Sequence, residues 1–415
     1  MQPVKITIYG DYIDCQIYRG RLYLWTFDGK LKVYKWHDLV NSLPMSDRDI
    51  LTLKFCFLDG NYLYKTELVE LFEDEDFKPI LLNKFSKAAN QRYDLTAQQA
   101  DKFLFGEQDT PNNLLPTDTE IYSSKLYYIT ENGLFSSNAH RDSKKYPVSS
   151  KPIKLWDCNL LSIKANKYPQ LALSGGSEGL YELNMSTEFT NKWNKEEPVQ
   201  ISDKHSSFAN YTFWSIYNSS LIDKSYMALF NLIKCPETAP ENLYDIYRSK
   251  FNREYKELIN ETKIFEISRN ENYLSWGVDD KIYRATDSGF EIVKFNNNPS
   301  KDKGEKLFSP IQKLNLHSWK GKVIGGGSSY FGTIVECENA LVVMLSNGES
   351  TSIEGPITRW RIYPRSLNYQ NHLHVIKDDR IEIFSFNQDY FLNQDEKLLG
   401  TEYKQKKEWK GGKTN

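Results

Sequence analysis

With 415 residues, of which 40% are hydrophobic and 26% charged, the chain has the composition of a soluble protein that could form several domains or one large β architecture. A formal net charge of −2 excludes a global positive field that would draw the protein to nucleic acid or to an acidic membrane. Five widely spread cysteines without a CxxC pair argue against a disulfide framework, and with no apolar leader or membrane-length apolar run we expect a cytoplasmic protein without a membrane partner.

A short segment near the start of the chain recurs farther along it. Residues 17–29 (IYRGRLYLWTFDG) reappear without a gap as residues 121–133 (IYSSKLYYITENG), 121 − 17 = 104 positions later. A fainter copy, KIYRATDSG at residues 281–289, lies 281 − 21 = 260 positions from Arg21. Because 104 is twice 52 and 260 is five times 52, the offsets predict a repeat of about 52 residues. Short strands and polar turns at such a period are typical of β-propeller blades.

The first repeat indicates strands at residues 14–18, 21–27 and 30–36, with Asp28-Gly29 as a hairpin turn. Seven later segments are candidates for the second strand of a blade: residues 62–68, 125–130, 171–173, 226–232, 281–286, 340–345 and 372–376. The interval from 340 to 372 is too short for a full blade. We therefore predict an all-β, seven-bladed β-propeller, with six and eight blades left open.

The end of the chain predicts how the ring closes. Residues 360–363, 372–376 and 380–386 indicate three successive strands, and residues 5–9 (KITIY) can supply the fourth. Pairing of the N- and C-terminal strands would remove an open sheet edge. We therefore expect a propeller over residues 1–400, followed by a basic, disordered tail at residues 401–415.

Residues 238–260 predict a helix within an insertion at residues 236–262. A capping-box pattern from Thr238 to Glu241 includes Pro240 in the first turn. An apolar stripe then recurs at helical spacing and is our candidate partner-binding surface: Leu243, Tyr247, Phe251, Tyr255 and Leu258. A shorter helix is expected near residues 96–105, with Gly106 ending it.

Two glycine-rich segments raise the question of a catalytic or ligand-binding loop. Residues 175–179 (GGSEG) match the G-x-S-x-G nucleophile pattern, but an alternating strand follows where that chemistry needs a helix, so a hairpin turn is favoured. Residues 325–329 (GGGSS) lack the Lys of a phosphate-binding loop and continue as β. We keep Gly325, Gly326, Gly327 and Ser328 as a candidate ligand loop, beside the alternative that these glycines allow close backbone approach.

The sequence indicates neither a metal site nor a catalytic constellation. His372 and His374 alternate along a strand and share a face, but two ligands fall short of the three or four that zinc needs. We therefore expect no metal and no cofactor.

Trp36-His37-Asp38 and Trp156-Asp157 resemble the strand-end Trp-Asp of WD40 repeats. In that family, a buried network that includes Trp and Asp braces each blade. No Gly-His dipeptide precedes either copy, so the chain resembles a degenerate, WD40-like propeller in the broad sense. Trp36 and Trp156 are expected to be packing residues.

Propellers host both enzymes and binding platforms, so function cannot be inferred from the architecture. The missing catalytic constellation favours a non-enzymatic cytoplasmic platform, a scaffold or adaptor that docks one or more proteins. The alternatives are a hydrolase or lyase acting on a sugar or peptide in the central channel, and a nucleic-acid-binding propeller. For the last, the lysines around Trp409 in the tail are the candidate contact, which we do not favour.

Overall fold

The computed structural model describes residues 2–46, 49–58, 74–139, 144–149, 151–166, 170–185, 197–232, 253–265, 273–286, 289–300, 302–315, 319, 321–386 and 399–401. These residues form seven sheets, each built on four antiparallel strands. The first strands of consecutive sheets contact one another, and the contact between the last and the first sheet closes the ring. The seven-bladed, all-β fold predicted from the sequence is therefore confirmed.

The blades follow one another in chain order around the ring. The chain begins with β1 (Val4–Tyr9), which belongs to the last blade. Blade 1 contains β2 (Tyr12–Tyr18), β3 (Arg21–Thr26), β4 (Lys30–Lys35) and, after the intervening β5 (Tyr93–Leu95), β6 (Leu104–Asp109). Blade 2 contains β7 (Asp118–Tyr122), β8 (Lys125–Thr130), β9 (Gly133–Asn138) and β10 (Ile153–Trp156). Blade 3 contains β11 (Ser162–Ala165), β12 (Gln170–Ser174), β13 (Leu180–Asn184) and β14 (Val199–Ser202).

The remaining blades follow the same plan, with the first strand innermost. Blade 4 contains β15 (Phe208–Thr212), β16 (Ser215–Ser219), β17 (Tyr226–Leu232) and β18 (Arg253–Asn260). Blade 5 contains β19 (Leu274–Val278), β20 (Lys281–Thr286), β21 (Gly289–Phe295) and β22 (Phe308–Asn315). Blade 6 contains β23 (Val323–Ser329), β24 (Gly332–Cys337), β25 (Ala340–Leu345) and β26 (Ser350–Glu354). Blade 7 contains β27 (Arg359–Ile362), β28 (His372–Lys377), β29 (Arg380–Ser385), β1 and β5.

Blade 7 joins the first described strand of the chain to the last one. Strand β1 pairs antiparallel with β29, from Val4 opposite Ser385 to Tyr9 opposite Arg380. On its other edge β1 pairs in parallel with β5. The short β5 thus covers an edge that would otherwise offer unpaired backbone groups.

Helices are few, and most lie in one insertion between β4 and β6 of blade 1. The described helices are α1 (Trp36–Asn41), α2 (Ile50–Phe57), α3 (Phe77–Ala89), α4 (Ala97–Asp101) and α5 (Glu261–Phe265), with a 3-10 turn at Pro111–Asn113. Apolar side chains of α1, α2 and α3 belong to the same buried cluster as β1, β2 and β29, so the insertion packs on the junction of blades 7 and 1. Within the described part of the chain, no helix has the length and hydropathy needed to cross a membrane.

This insertion corrects the predicted period. Arg21 pairs with Tyr18 across the β2–β3 turn, and Lys125 pairs with Tyr122 across the β7–β8 turn, so the repeated segments are equivalent. They lie in adjacent blades, however, and not two blades apart. The offset of 121 − 17 = 104 residues is one blade plus the insertion. The strand predicted at residues 62–68 lies outside the described residues.

The predicted helix at residues 238–260 is wrong for its last part. Residues 253–260 form β18, which pairs with β17 from Leu232 opposite Arg253 to Tyr226 opposite Asn260. The edge of β17 offers backbone partners that outweigh a local helical pattern. The Tyr255 ring instead packs on the Phe230 ring, with the ring centroids 5.7 Å apart. Leu258 packs against a buried cluster of blades 3 and 4. Leu243, Tyr247 and Phe251 lie outside the described residues.

Three smaller predictions also change. Residues 226–232 and 340–345 are third strands, and the second strands of their blades, β16 and β24, were missed. Thr96 caps α4 in a capping box with Gln99, but that helix ends at Asp101. Gly106 lies within β6, where an added Cβ would meet the Lys144 carbonyl oxygen at 2.1 Å, so it permits close packing and does not end the helix.

Candidate functional site at the central channel

A buried ion cluster joins the innermost strands of three successive blades. Arg361 Nη2, on β27, donates to Asp14 Oδ2 of β2 and to Asp118 Oδ1 of β7, each at 2.6 Å. Arg361 Nε also donates to Asp14 Oδ1 at 2.9 Å, and Arg359 Nη1 lies 3.3 Å from Asp118 Oδ1. The side chain of Asp14 is 0% exposed and that of Asp118 is 7% exposed. We call Asp14, Asp118, Arg359 and Arg361 the channel ion cluster.

Neighbouring polar groups complete this cluster. The Thr119 hydroxyl donates to Asp14 Oδ2 at 2.7 Å, and the Ile163 backbone N–H of β11 donates to Asp118 Oδ2 at 2.8 Å. Burial alone would raise the pKa of Asp118, but Arg361 and Arg359 outweigh it and hold that pKa below its ordinary value. Asp118 is therefore ionised at neutral pH and suits a structural brace better than a proton donor.

Where the innermost strands end, the channel opens into a cavity of about 400 Å³, which we call the channel mouth. Side chains and backbone from blades 3 to 7 line it. Blade 4 contributes an aromatic wall, and blade 7 adds one further ring: Phe208, Tyr211, Phe213 and Trp214, with Trp360. The cavity is of the size and mixed apolar and polar character that ligand sites usually have.

Charges of opposite sign line different parts of the mouth. On one side lie Lys164 of blade 3 and Arg365, which follows β27. Both pair with Glu120, at 3.6 Å and 3.3 Å respectively, so two cations share one carboxylate there. On the blade 5 side, Asp279 and Asp280 form the turn between β19 and β20. The mouth is therefore electrically bipolar.

The candidate ligand loop at Gly325, Gly326, Gly327 and Ser328 is not a loop. These residues lie within β23, the innermost strand of blade 6. Gly326, Gly327 and Ser328 do line the channel mouth. An added Cβ on Gly326 would lie 2.3 Å from the Trp276 ring, so this glycine permits the close approach of a strand to a neighbouring blade.

Replacing Gly326 by alanine should therefore destabilise the protein. Trp276 is fully buried and stacks on Tyr283, with ring centroids 6.0 Å apart, so it has little room to move. We expect the free energy of unfolding to fall by about 1 to 3 kcal/mol, as in other overpacked cores. Chemical denaturation would measure the change. Gly325→Ala is the matched control, since its methyl group meets the end of the Glu336 side chain and not a buried ring. Moving that carboxylate costs only its hydrogen bond from Trp360 Nε1, at 2.8 Å, so a smaller loss is expected. Equal losses in both variants would contradict the explanation.

The two histidines predicted to share a face do so, but both are fully buried on β28. Their ring centroids are 5.7 Å apart. His372 Nε2 lies 2.9 Å from the Cys56 carbonyl oxygen, and His374 Nδ1 lies 3.2 Å from the Tyr363 hydroxyl. In the part of the chain that the structure describes, no three His, Cys, Asp or Glu side chains are grouped to hold a metal ion. The pair belongs to the packing between blade 7 and the helical insertion.

The other sequence motifs have structural roles. Trp36 begins α1, is fully buried, and donates from Nε1 to the Phe57 carbonyl oxygen at 2.9 Å. Trp156 is the last residue of β10, and its ring packs on the Tyr181 ring with the centroids 4.6 Å apart. Residues 175–179 form the hairpin turn between β12 and β13, with no helix after them. That turn does not have the strand-to-helix geometry of a nucleophile elbow.

Sequence reasoning did not find the channel ion cluster, although a signal for it was present. Asp14 and Asp118 are 118 − 14 = 104 residues apart, which is the offset of the repeated segment. Extending the repeat three residues upstream would have paired two carboxylates on equivalent innermost strands. Nothing in the local sequence around Arg361 indicates that its side chain donates hydrogen bonds to both aspartates.

No protein-family model matches the sequence, and no curated protein matches it. Among solved structures, the chain is similar to the computationally designed protein Ika8, at 7% identity and a TM-score of 0.43, over 93% of this chain and 100% of that one. It is similar to BamB from Moraxella catarrhalis at 10% identity and a TM-score of 0.39, over 92% of this chain and 82% of that one. It is similar to the WD40 domain of Pan2 from Neurospora crassa at 8% identity and a TM-score of 0.42, over 95% of this chain and 92% of that one. The likeness is one of fold alone.

Proposed function

We propose that this protein is a non-enzymatic interaction platform that docks a protein partner at the channel mouth. The observation that carries the proposal is the mouth itself, a cavity to which five blades contribute aromatic, charged and backbone groups. Aromatic side chains and arginine are the residue types most enriched where proteins bind one another. The site proposed from the sequence, a helical stripe at residues 238–260, no longer supports docking, because Tyr255 and Leu258 lie on β18.

The alternative of a hydrolase or lyase in the channel needs an acid and a base that can exchange protons with a substrate. The carboxylates of Asp14 and Asp118 do converge, since both accept from Arg361 Nη2. They are nonetheless buried and charge-paired, and the pKa of Asp118 is lowered, whereas a general acid needs a raised pKa. These groups favour a brace that holds the ring beneath a binding surface.

The free thiols support a cytoplasmic location, which we propose for this platform. Cys15, Cys56 and Cys158 form no disulfide within the described part of the chain. Burial raises the pKa of Cys15 to about 12, which keeps that thiol protonated and inert. Reduced thiols are the rule in the cytosol.

Native purification from the expressing cells tests the proposal. A tagged chain, isolated at near-physiological salt, is expected to elute in a complex larger than its own 48.5 kDa and to carry a stoichiometric protein partner. Nuclease treatment and raised salt are the parallel arms, because contacts to nucleic acid weaken steeply with salt. Loss of the complex on nuclease treatment, or elution as a free chain that turns over a sugar or peptide, would contradict the platform.

A further inference from the structure

One turn at the channel mouth carries a residue that the backbone there disfavours. Phe213 is the first of the two residues linking β15 to β16, and its φ is +51°. Two-residue hairpins of the favoured types need positive φ at this position, where glycine, asparagine or aspartate fits best. A bulky residue in the left-handed region is a true outlier. Phe213 is also 45% exposed and lines the mouth.

Equivalent two-residue turns of other blades have the same backbone conformation at this position. The first loop residue is Arg19 in blade 1 and Ser123 in blade 2, with φ of +45° and +48°. Neither of them lines the mouth. In blade 5 it is Asp279, with φ of +54°, a residue type that tolerates this region. Phe213 therefore combines an unfavourable backbone, a half-exposed ring and a place at the cavity. Strained residues of this kind are often kept for binding.

The charges around Phe213 define what can lie on it. Lys164 of blade 3 and Arg365 of blade 7 line one part of the mouth, and Asp279 and Asp280 line the part at blade 5. An extended chain crossing the mouth would meet cations, then the aromatic wall, then carboxylates. Such a chain needs a negative charge where it meets the two cations and a positive charge where it meets the two carboxylates. Between them it needs an apolar group.

We propose that the channel mouth binds an extended segment of a protein partner in which a large apolar side chain is flanked by one acidic and one basic side chain. The apolar group stacks on Phe213, the acidic group pairs with Arg365 and Lys164, and the basic group pairs with Asp279 or Asp280. This inference rests on the proposed function and specifies its ligand. A platform that docks a partner of other chemistry at the channel mouth would survive the failure of this inference.

A single-stranded oligonucleotide is the main competitor, because aromatic rings and cations also bind bases and phosphates. Asp279 and Asp280 disfavour it, since phosphates crossing the mouth would meet two carboxylates. The peptide is therefore the occupant that the charges favour.

A display library of random peptides of about ten residues, screened on the purified full chain, supplies the probe. Enriched sequences are expected to carry one acidic and one basic residue around Phe, Trp or Leu. The best peptide is then synthesised with a fluorophore, and its Kd is measured by anisotropy. Phe213→Gly should weaken binding by about tenfold or more. The melting temperature should change little, because glycine relieves the turn while the contact with the Phe295 ring, at 6.2 Å between ring centroids, is lost. Arg365→Gln should weaken binding by about tenfold through the lost ion pair.

Ser123→Gly is the matched control, since it makes the same change at the equivalent turn of blade 2 and should leave Kd unchanged. Three outcomes would overturn the proposal. The first is enrichment no different from that on the Phe213→Gly protein. The second is enrichment of peptides without the acidic and basic pair. The third is tighter, salt-sensitive binding of a labelled poly(U) oligonucleotide at the same residues.

Discussion

Replacing Arg361 by methionine is expected to lower the free energy of unfolding by about 3 to 5 kcal/mol, the usual cost of removing one partner from a buried ion pair. Arg361 holds two carboxylates at once, and the side chain of Asp14 is fully buried. Without the guanidinium, both aspartates would be buried with less compensating charge. Arg359, 3.3 Å from Asp118, can offset only part of that loss. Equilibrium denaturation at pH 7 measures the effect.

Two further variants show whether the loss comes from unpaired charge. Adding Asp14→Asn and Asp118→Asn to Arg361→Met should recover part of the lost stability, because the amides need no counter-ion. Lys154→Met breaks an exposed pair with Asp157 and should cost no more than about 1 kcal/mol. If the single Arg361 variant were as mild as this surface control, the channel ion cluster would not brace the ring.

Acidification from pH 7.5 to pH 5 is expected to lower the free energy of unfolding by about 3 to 4 kcal/mol through His372 and His374 alone. Burial lowers the pKa of His372 from 6.5 to about 4. Burial, together with His372, lowers the pKa of His374 well below its ordinary value. Both rings therefore stay neutral in the folded protein between pH 6.5 and pH 5, while the unfolded chain takes up two protons. Since the unfolded state binds more protons, stability falls as the pH falls.

Denaturation at a series of pH values gives the number of protons taken up on unfolding. His374→Asn should reduce that number by about one between pH 5 and pH 6, because one buried imidazole is gone. His37→Asn removes an exposed histidine and is the control variant. A wild-type stability that does not change between pH 7.5 and pH 5.5 would show that the pair is protonated or accessible in the fold.

The blade pattern could be predicted from the sequence because each blade repeats the same local arrangement of strands and turns. Arg21 and Lys125 begin second strands in equivalent positions, and the glycines eight residues later lie at or just after the next turn. Alternating apolar residues and turn glycines are local signals. The count of seven blades is confirmed.

The errors arose where a distant partner decides the structure. Residues 253–260 have apolar positions that fit a helix, but the edge of β17 selects a strand. The insertion between β4 and β6 shifted the apparent period, since nothing in β4 indicates that its neighbour in the sheet lies about seventy residues ahead. The channel ion cluster depends on Arg361, whose partners lie 347 and 243 residues away. Such contacts exist only once the ring has formed.

The pairing of β1 with β29 also determines when these two strands can pair during synthesis of the chain. Lys5 meets Glu382 across 377 residues, so β1 leaves the ribosome well before its antiparallel partner exists. At ordinary translation rates that delay is roughly 20 to 75 seconds. During this time β5 can already align beside β1, as both belong to the first quarter of the chain. The parallel β5 would then shield one edge of an apolar strand from neighbouring nascent chains until the last blade is complete.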